Sequence, residues 1–292
     1  MDQPLLFFCQ FFVNATLALA KGALGISCFL LFTLLLAQRK HNSLCLVCSR
    51  YLTYVLAALA FAGPVSTLAS FLLFIARFSA KGNAWQWPDP FSPAVLPYTV
   101  NIAIWLLVPP LALACSRLLS SAKKSRGCAL GLSILLLLLC FGSFFCLSWP
   151  FAGLPPGLSA TQAFTAIFFH TWHLTFFALL PASLVLLVLA GHIRKWVSNE
   201  DNTILVRRWL AGLGLIGAIP HCLNVWAVSV GYLLRAGQMP PTLGQHLLEN
   251  AALSLCLVAL IFAVIHKWPR KTALFEGCAV LFFLVSLAFS SL

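Results

Sequence analysis

The chain has 292 residues, of which 61% are hydrophobic and only 8% are charged. An ordinary soluble domain is roughly a quarter charged, so this composition excludes a water-soluble protein. The formal net charge of +12 is dispersed over short polar joints. It therefore indicates membrane-flanking loops near anionic lipid headgroups and not a nucleic-acid-binding surface.

Apolar stretches long enough to cross a bilayer, roughly 17 to 25 residues each, recur along the whole chain. The sequence predicts seven transmembrane helices, near 4–37, 45–76, 95–118, 128–149, 162–190, 207–234 and 247–266. A further apolar segment, 272–291, has the length of an eighth span or of a helix along the inner membrane surface. The predicted fold class is all-α: one transmembrane domain over 1–292, a seven-helix bundle laid out like a G-protein-coupled receptor.

The charges of the joints predict the orientation, because cytoplasmic loops collect Lys and Arg. The joints after the first, third, fifth and seventh spans hold nearly all the basic loop residues, and the alternate joints hold only Arg77, Lys81 and Arg235. The basic set is Arg39, Lys40, Arg117, Lys123, Lys124, Arg126, Arg194, Lys195, Arg207, Arg208, Lys267, Arg270 and Lys271. We expect a multi-pass protein of the cell membrane with an extracellular N-terminus.

All eleven cysteines lie inside spans or at their cytoplasmic ends, where they act as small apolar packing residues. Cys45 and Cys48 form a Cys-x-x-Cys, but no second pair stands nearby to complete a metal site. We expect no metal and no cofactor. No catalytic constellation is found either, since a Ser-His-Asp arrangement would lack its carboxylate, so an enzyme is not expected.

Polar residues within spans are the functional candidates, because a charge in hydrocarbon is costly without a partner or water. Glu249 follows His246 by three residues near the outer end of the seventh span, so the two share a helix face, and Asn250 is adjacent. Glu249 is either an interfacial carboxylate or an acid at the mouth of an outward-facing cavity. His170 and His173 share a face of the fifth span and indicate a polar cavity lining in preference to a metal site.

Motifs in chain order resemble those of the bitter taste receptor family (taste receptor type 2). Gly22-Ala-Leu-Gly25, followed by an apolar run to Arg39-Lys40, is similar to that family's Gly-x-x-Gly first helix. Leu46-Val-Cys-Ser49-Arg50 is similar to its Leu-x-x-Ser-Arg in the second span. Trp105 and Arg117 resemble the Trp and the inner basic residue of its third span.

The later spans extend this resemblance over nearly the whole chain. Leu180-Pro181-Ala-Ser183-Leu running to Gly191-His192 and Lys195-Trp196 is similar to the family's Pro-x-x-x-Ser-Leu to His-x-x-x-Met stretch. Glu249 precedes Lys267-Trp-Pro269-Arg-Lys-Thr-Ala-Leu274 at nearly the distance between the family's pocket Glu and its Asn-Pro-Lys-Leu segment. Order and spacing, more than any single motif, carry the resemblance.

The resemblance implies a receptor that binds small-molecule bitter agonists between the outer helix ends and signals to a heterotrimeric G protein. Trp105 would be an aromatic wall of the pocket and Glu249 a polar or charged anchor. We add four pocket candidates from the helix face and the depth in the span that each would occupy: Asn101, His170, His173 and Asn250. Ser49 and Arg50 would form an inter-helix lock, while Arg117, Arg194, Lys195, Arg207 and Arg208 would face the G protein.

Two alternatives stay open. Trp105 is equally explained as a residue of the interfacial aromatic belt. The whole chain is alternatively explained as a small multi-span transporter or lipid-handling membrane protein, or as a structural or accessory membrane protein with no ligand. Segment 272–291 discriminates between these functions, because an eighth span would place the C-terminus outside, which the receptor interpretation does not allow.

Overall fold

The computed structural model describes residues 3–40, 43–65, 67–69, 72, 96–120, 126–151, 159–189, 200–235, 243–266 and 269–290. Over these ranges the only regular secondary structure is helix, which confirms the all-α prediction. The helices that the structure describes are α1 (Gln3–Lys40), α2 (Ser43–Ala60), α3 (Leu96–Ser120), α4 (Arg126–Phe151), α5 (Ala160–Phe177), α6 (Leu179–Val188), α7 (Glu200–Arg235), α8 (Leu243–Ile265) and α9 (Pro269–Phe289).

Seven helices of the described residues are long and apolar enough to cross a membrane, so the protein is a multi-pass helical membrane protein. These stretches are Gln10–Arg39, Leu44–Ala69, Tyr98–Ser120, Arg126–Cys146, Thr203–Gly231, Gly244–Ile265 and Lys271–Phe289. Six of them coincide with predicted spans. The seventh lies in 272–291, the segment whose placement the sequence left open.

The predicted fifth span, 162–190, is divided in the structure into α5 and α6, which meet at Ala178. Pro181 accounts for the division. A proline has no N–H to donate to the carbonyl four residues earlier, here that of Phe177, and its ring clashes with that carbonyl. The interruption leaves two helices of 18 and 10 residues where the sequence predicted one.

The chain forms two compact units, and the first to be described comprises Thr16–Thr175. In it α3 and α4 pack antiparallel. Asn101 is bonded to Ser143 near one end of the pair, and the Cys115 thiol donates to the Ala129 carbonyl (3.5 Å) near the other. Ser49 of α2 donates to Thr33 of α1 (2.9 Å), so a buried hydroxyl pair joins these two helices.

The other unit comprises Met1–Ala15 and Phe176–Leu292. Its helices α6 and α7 approach closely at Gly214 and Gly217: a Cβ on Gly217 would lie 2.7 Å from the Leu180 backbone nitrogen. At the same contact the Ser183 hydroxyl donates to the Leu210 carbonyl (2.6 Å). Glycine is required at 217 because backbone atoms, unlike a flexible side chain, cannot move aside.

Helices α7, α8 and α9 succeed one another in alternating directions. Ser229 of α7 contacts Asn250 of α8 and Trp226 contacts Ser254, so this pair is antiparallel. Only three residues separate α8 from α9, and the two helices pack on each other as a hairpin. The rings of Phe262, His266 and Phe275 stack where the hairpin turns.

Candidate functional site

Trp105 and Asn101, two predicted ligand residues, lie one turn apart on the face of α3 that packs against α4. The Trp105 side chain is 1% exposed and meets the Phe144 ring edge-on, with 6.3 Å between ring centroids. Gly63 lies directly under the indole, where a Cβ would overlap the ring. Trp105 is therefore a packed core residue of this unit and not a residue of the lipid interface.

Asn101 is completely buried, and its amide is bonded to a single residue of α4. Its Nδ2 donates to the Ser143 carbonyl (3.3 Å), and its Oδ1 accepts from the Ser143 hydroxyl (2.9 Å). Burial of an amide is costly unless its polar atoms are satisfied, and this reciprocal pair satisfies them. By contrast, the buried Trp105 indole N–H finds no acceptor within the described residues, so it could donate to a ligand that entered here.

Glu249 and His246 lie on one face of α8, as their spacing predicts. The His246 Nδ1 is 3.8 Å from the Glu249 carboxylate, and both side chains remain accessible, at 47% and 21%. An accessible carboxylate next to an imidazole can bind a cationic ligand group or accept a hydrogen bond. Of the predicted pocket residues whose side chains the structure describes, Glu249 is the one that presents a charge to solvent.

Asn250 faces inward, although it directly follows Glu249. It is 1% exposed, and its Nδ2 donates to the Ser229 hydroxyl of α7 (2.8 Å). One turn further, Ser254 accepts from the Trp226 indole (3.1 Å) and donates to the Asn250 carbonyl. These bonds tie α7 to α8, so Asn250 holds two helices together in this structure.

The remaining predicted residues are placed as follows. His170 and His173 lie in α5, but their side chains are outside the described part of the chain, as are Arg194 and Lys195 entirely. Ser49 is buried in its bond to Thr33, and Arg50 is half-buried beside it in α2. Arg117 is exposed in the last turn of α3.

Arg207, predicted to face a G protein, forms an ion pair with Glu276 of α9, and its side chain is 24% exposed. The Arg207 Nε lies 3.1 Å from both carboxylate oxygens, and Nη2 bonds one of them directly. The neighbouring Arg208 donates to the carbonyl of His266 (2.8 Å) at the end of α8. Arg207 and Arg208, which are adjacent near the start of α7, thus connect this helix to α9 and to the end of α8.

Glu276 was not among the site residues predicted from the sequence. It is 4% exposed, on a helix that carries no other charge after its first turn. A carboxylate within an apolar helix needs a partner. The sequence would therefore have predicted a paired Glu276 if 272–291 had been taken as a helix packed within the protein.

No disulfide joins the cysteines that the structure describes, and no group of three or more His, Cys, Asp or Glu residues there could hold a metal ion. No protein-family model, no curated protein and no solved structure matches this chain. The residues themselves therefore carry any functional argument.

Proposed function

We propose that this chain is a bitter-taste-type G-protein-coupled receptor of the cell membrane with an extracellular N-terminus. The observation that carries the proposal is the order and spacing of the motifs that resemble the family, from Gly22 in α1 to Leu274 in α9. The bundle of membrane-length helices supports it at the coarser level.

In this proposal Glu249 is the anchor for the agonist. Its carboxylate is accessible, sits beside His246 and lies at the end of α8 opposite the basic turn. Two hydrogen bonds beside it, the buried one from Asn250 to Ser229 and the exposed one from Trp226 to Ser254, hold α7 against α8. An agonist that binds Glu249 would bias the packing of these two helices, and an inner G protein would respond to that bias.

The first test measures calcium responses of cells that express the chain with a promiscuous G protein, over a panel of bitter compounds. We expect Glu249→Gln to weaken responses to cationic agonists by about tenfold or more, since a charge-assisted bond contributes about 1.5–3 kcal/mol. Surface expression should not change, because the Glu249 side chain is not buried.

Leu248→Gln is the matched control. It introduces the same amide one residue away, about 100° around the helix, at a side chain that is 50% exposed. Equal potency of wild type and Glu249→Gln would remove Glu249 from the pocket. A wild-type chain that reaches the surface and responds to no compound would contradict the receptor proposal.

The second candidate function is a small multi-span transporter or lipid-handling protein, and the packing of α9 favours it. Helix α9 has the length and composition of a span and pairs with α8 as a hairpin. At its far end, the Ser290 hydroxyl accepts from Asn14 of α1 (3.4 Å). A helix packed in this way would cross the bilayer beside α8, whereas the receptor proposal requires it along the inner surface.

A C-terminal epitope tag distinguishes the two candidates. The receptor proposal predicts that antibody reaches the tag only in permeabilised cells. An α9 that crosses the membrane predicts staining of intact cells. An N-terminal tag on the same chain is the control, since both candidates expect it to be stained without permeabilisation. Staining of both tags in intact cells would overturn the receptor proposal and retain the second candidate.

A further inference from the structure

One face of α3 is exposed and carries an open groove. Its lining residues recur at helical spacing: Pro110, Leu113, Ala114, Arg117 and Leu118. Residues at i, i+3, i+4, i+7 and i+8 form one stripe along a helix. The groove has a volume of about 630 Å³, within the range of small-molecule and cofactor sites.

This stripe is opposite to the face by which α3 packs in its unit. The packed face contains Trp105, Val108, Ala112, Cys115 and Leu119, all buried. On the groove side Leu113 is 41% exposed, and Pro110 and Arg117 are exposed as well. The consecutive prolines Pro109 and Pro110 lack N–H donors, and such residues bend a helix. Pro110, the second of these prolines, lines the groove.

Charge and polarity are distributed unequally along the groove. Among the described residues that line it, Pro110, Leu113, Ala114 and Leu118 are apolar, and the charged one, Arg117, lies in the last turn of α3 at the end of the span. If Tyr98–Ser120 crosses the bilayer, a guanidinium three residues from its end would be at headgroup depth, and Pro110 and Leu113 would lie in the hydrocarbon. Within the described part of the chain no acidic side chain forms an ion pair with Arg117.

We propose that this groove is a binding site for one anionic phospholipid. An acyl chain lies along Pro110, Leu113, Ala114 and Leu118, and the headgroup phosphate accepts hydrogen bonds from Arg117. The planar guanidinium presents paired N–H donors that match phosphate oxygens, and the cytoplasmic leaflet supplies anionic headgroups. The inference does not require G-protein signalling, but it rests on the orientation in the proposed function, which places Arg117 at the cytoplasmic face.

The test uses native mass spectrometry of the full chain in detergent, titrated with phosphatidylserine or phosphatidylcholine carrying the same acyl chains. We expect one phosphatidylserine to be retained with an affinity at least about tenfold above that of phosphatidylcholine. Both lipids offer the phosphate, but the choline ammonium offsets its charge, whereas the serine headgroup keeps a net negative charge opposite Arg117. Arg117→Gln should abolish this preference. Arg117→Lys should leave part of it, because the charge is kept and the paired donors are lost.

Arg39→Gln is the matched control. It removes the same exposed charge from the end of α1, a residue that does not line the groove. An equal loss of preference in Arg39→Gln and Arg117→Gln would show diffuse attraction and overturn the site. A second variant, Ala114→Phe, fills the groove floor and should weaken retention of both lipids; unchanged retention would also overturn it.

Competition with inorganic phosphate tests whether the headgroup alone accounts for binding or whether the acyl chain contributes. Inorganic phosphate at millimolar concentration should not displace phosphatidylserine, since the apolar groove contributes to binding. Displacement by phosphate alone would reduce the site to an anion contact on Arg117 and contradict the lipid assignment. Thermal unfolding identifies any variant that fails to fold. If Ala114→Phe does not fold, the two Arg117 variants still test the proposal, because the Arg117 side chain is exposed.

Discussion

Arg207→Gln is expected to destabilise the protein by about 3–5 kcal/mol, because it leaves the buried Glu276 carboxylate without its partner. Glu276→Gln is expected to cost less, because the Arg207 side chain that then loses its partner is 24% exposed. Glu276 is 4% exposed, and the Arg207 guanidinium contacts its carboxylate through both Nε and Nη2. The measurement is the free energy of unfolding in micelles, with membrane abundance in cells as a second readout. Arg39→Gln, an exposed arginine at the end of α1, should change neither.

The double variant Arg207→Met with Glu276→Met should recover most of the lost stability, since replacement of a buried ion pair by apolar side chains is often neutral or better. The exchanged pair, Arg207→Glu with Glu276→Arg, should recover part of it. Strictly additive effects of the two single variants would mean that the residues do not act on each other. Such a result would contradict the contact between the starts of α7 and α9.

Trp105→Ala is expected to cost about 3–5 kcal/mol, the range for large aromatic side chains removed from a packed core. Trp105 is 1% exposed and is enclosed by Gly63 and Phe144, so the cavity left behind could close only by moving the backbone at Gly63 or helix α4. Unfolding of purified protein measures the loss. Leu106→Ala is the control: this neighbour is 61% exposed, so its truncation should have little effect.

The Trp105 result also bears on the proposed pocket. A residue that only lines an open agonist cavity could be truncated with lower response and unchanged abundance. The packing seen here predicts lower abundance, so responses of Trp105→Ala must be compared at matched surface expression. Unchanged stability of Trp105→Ala would contradict the packed position and support an open cavity around the indole.

The length and polarity of the apolar runs were enough to predict helices, because backbone groups in hydrocarbon must be satisfied within the segment and helix does this locally. Six predicted spans therefore coincide with described helices. The shared face of His246 and Glu249 was likewise predictable, since a spacing of three residues fixes it without reference to any other helix. Both predictions rest on properties of a single segment and need no knowledge of how the helices pack.

Packing between helices decided the rest. Trp105, Asn101 and Asn250 were predicted to face a cavity, but each is buried against a neighbouring helix whose identity the sequence does not disclose. Ser143 and Ser229, which bond the two asparagines, lie 42 and 21 residues away along the chain. A polar residue in a span signals the need for a partner. Only the fold shows whether the partner is another helix or a ligand.

The amino-acid sequence by itself determined that this protein crosses a membrane in many helices, because solvent compatibility is a property of each segment alone. It also placed the basic residues that indicate orientation. The tertiary structure decided that Glu276 pairs with Arg207, that α9 folds back on α8, and that α5 and α6 are separate helices. These features depend on which helices meet and in what register, and that is set by complementary packing over the whole bundle.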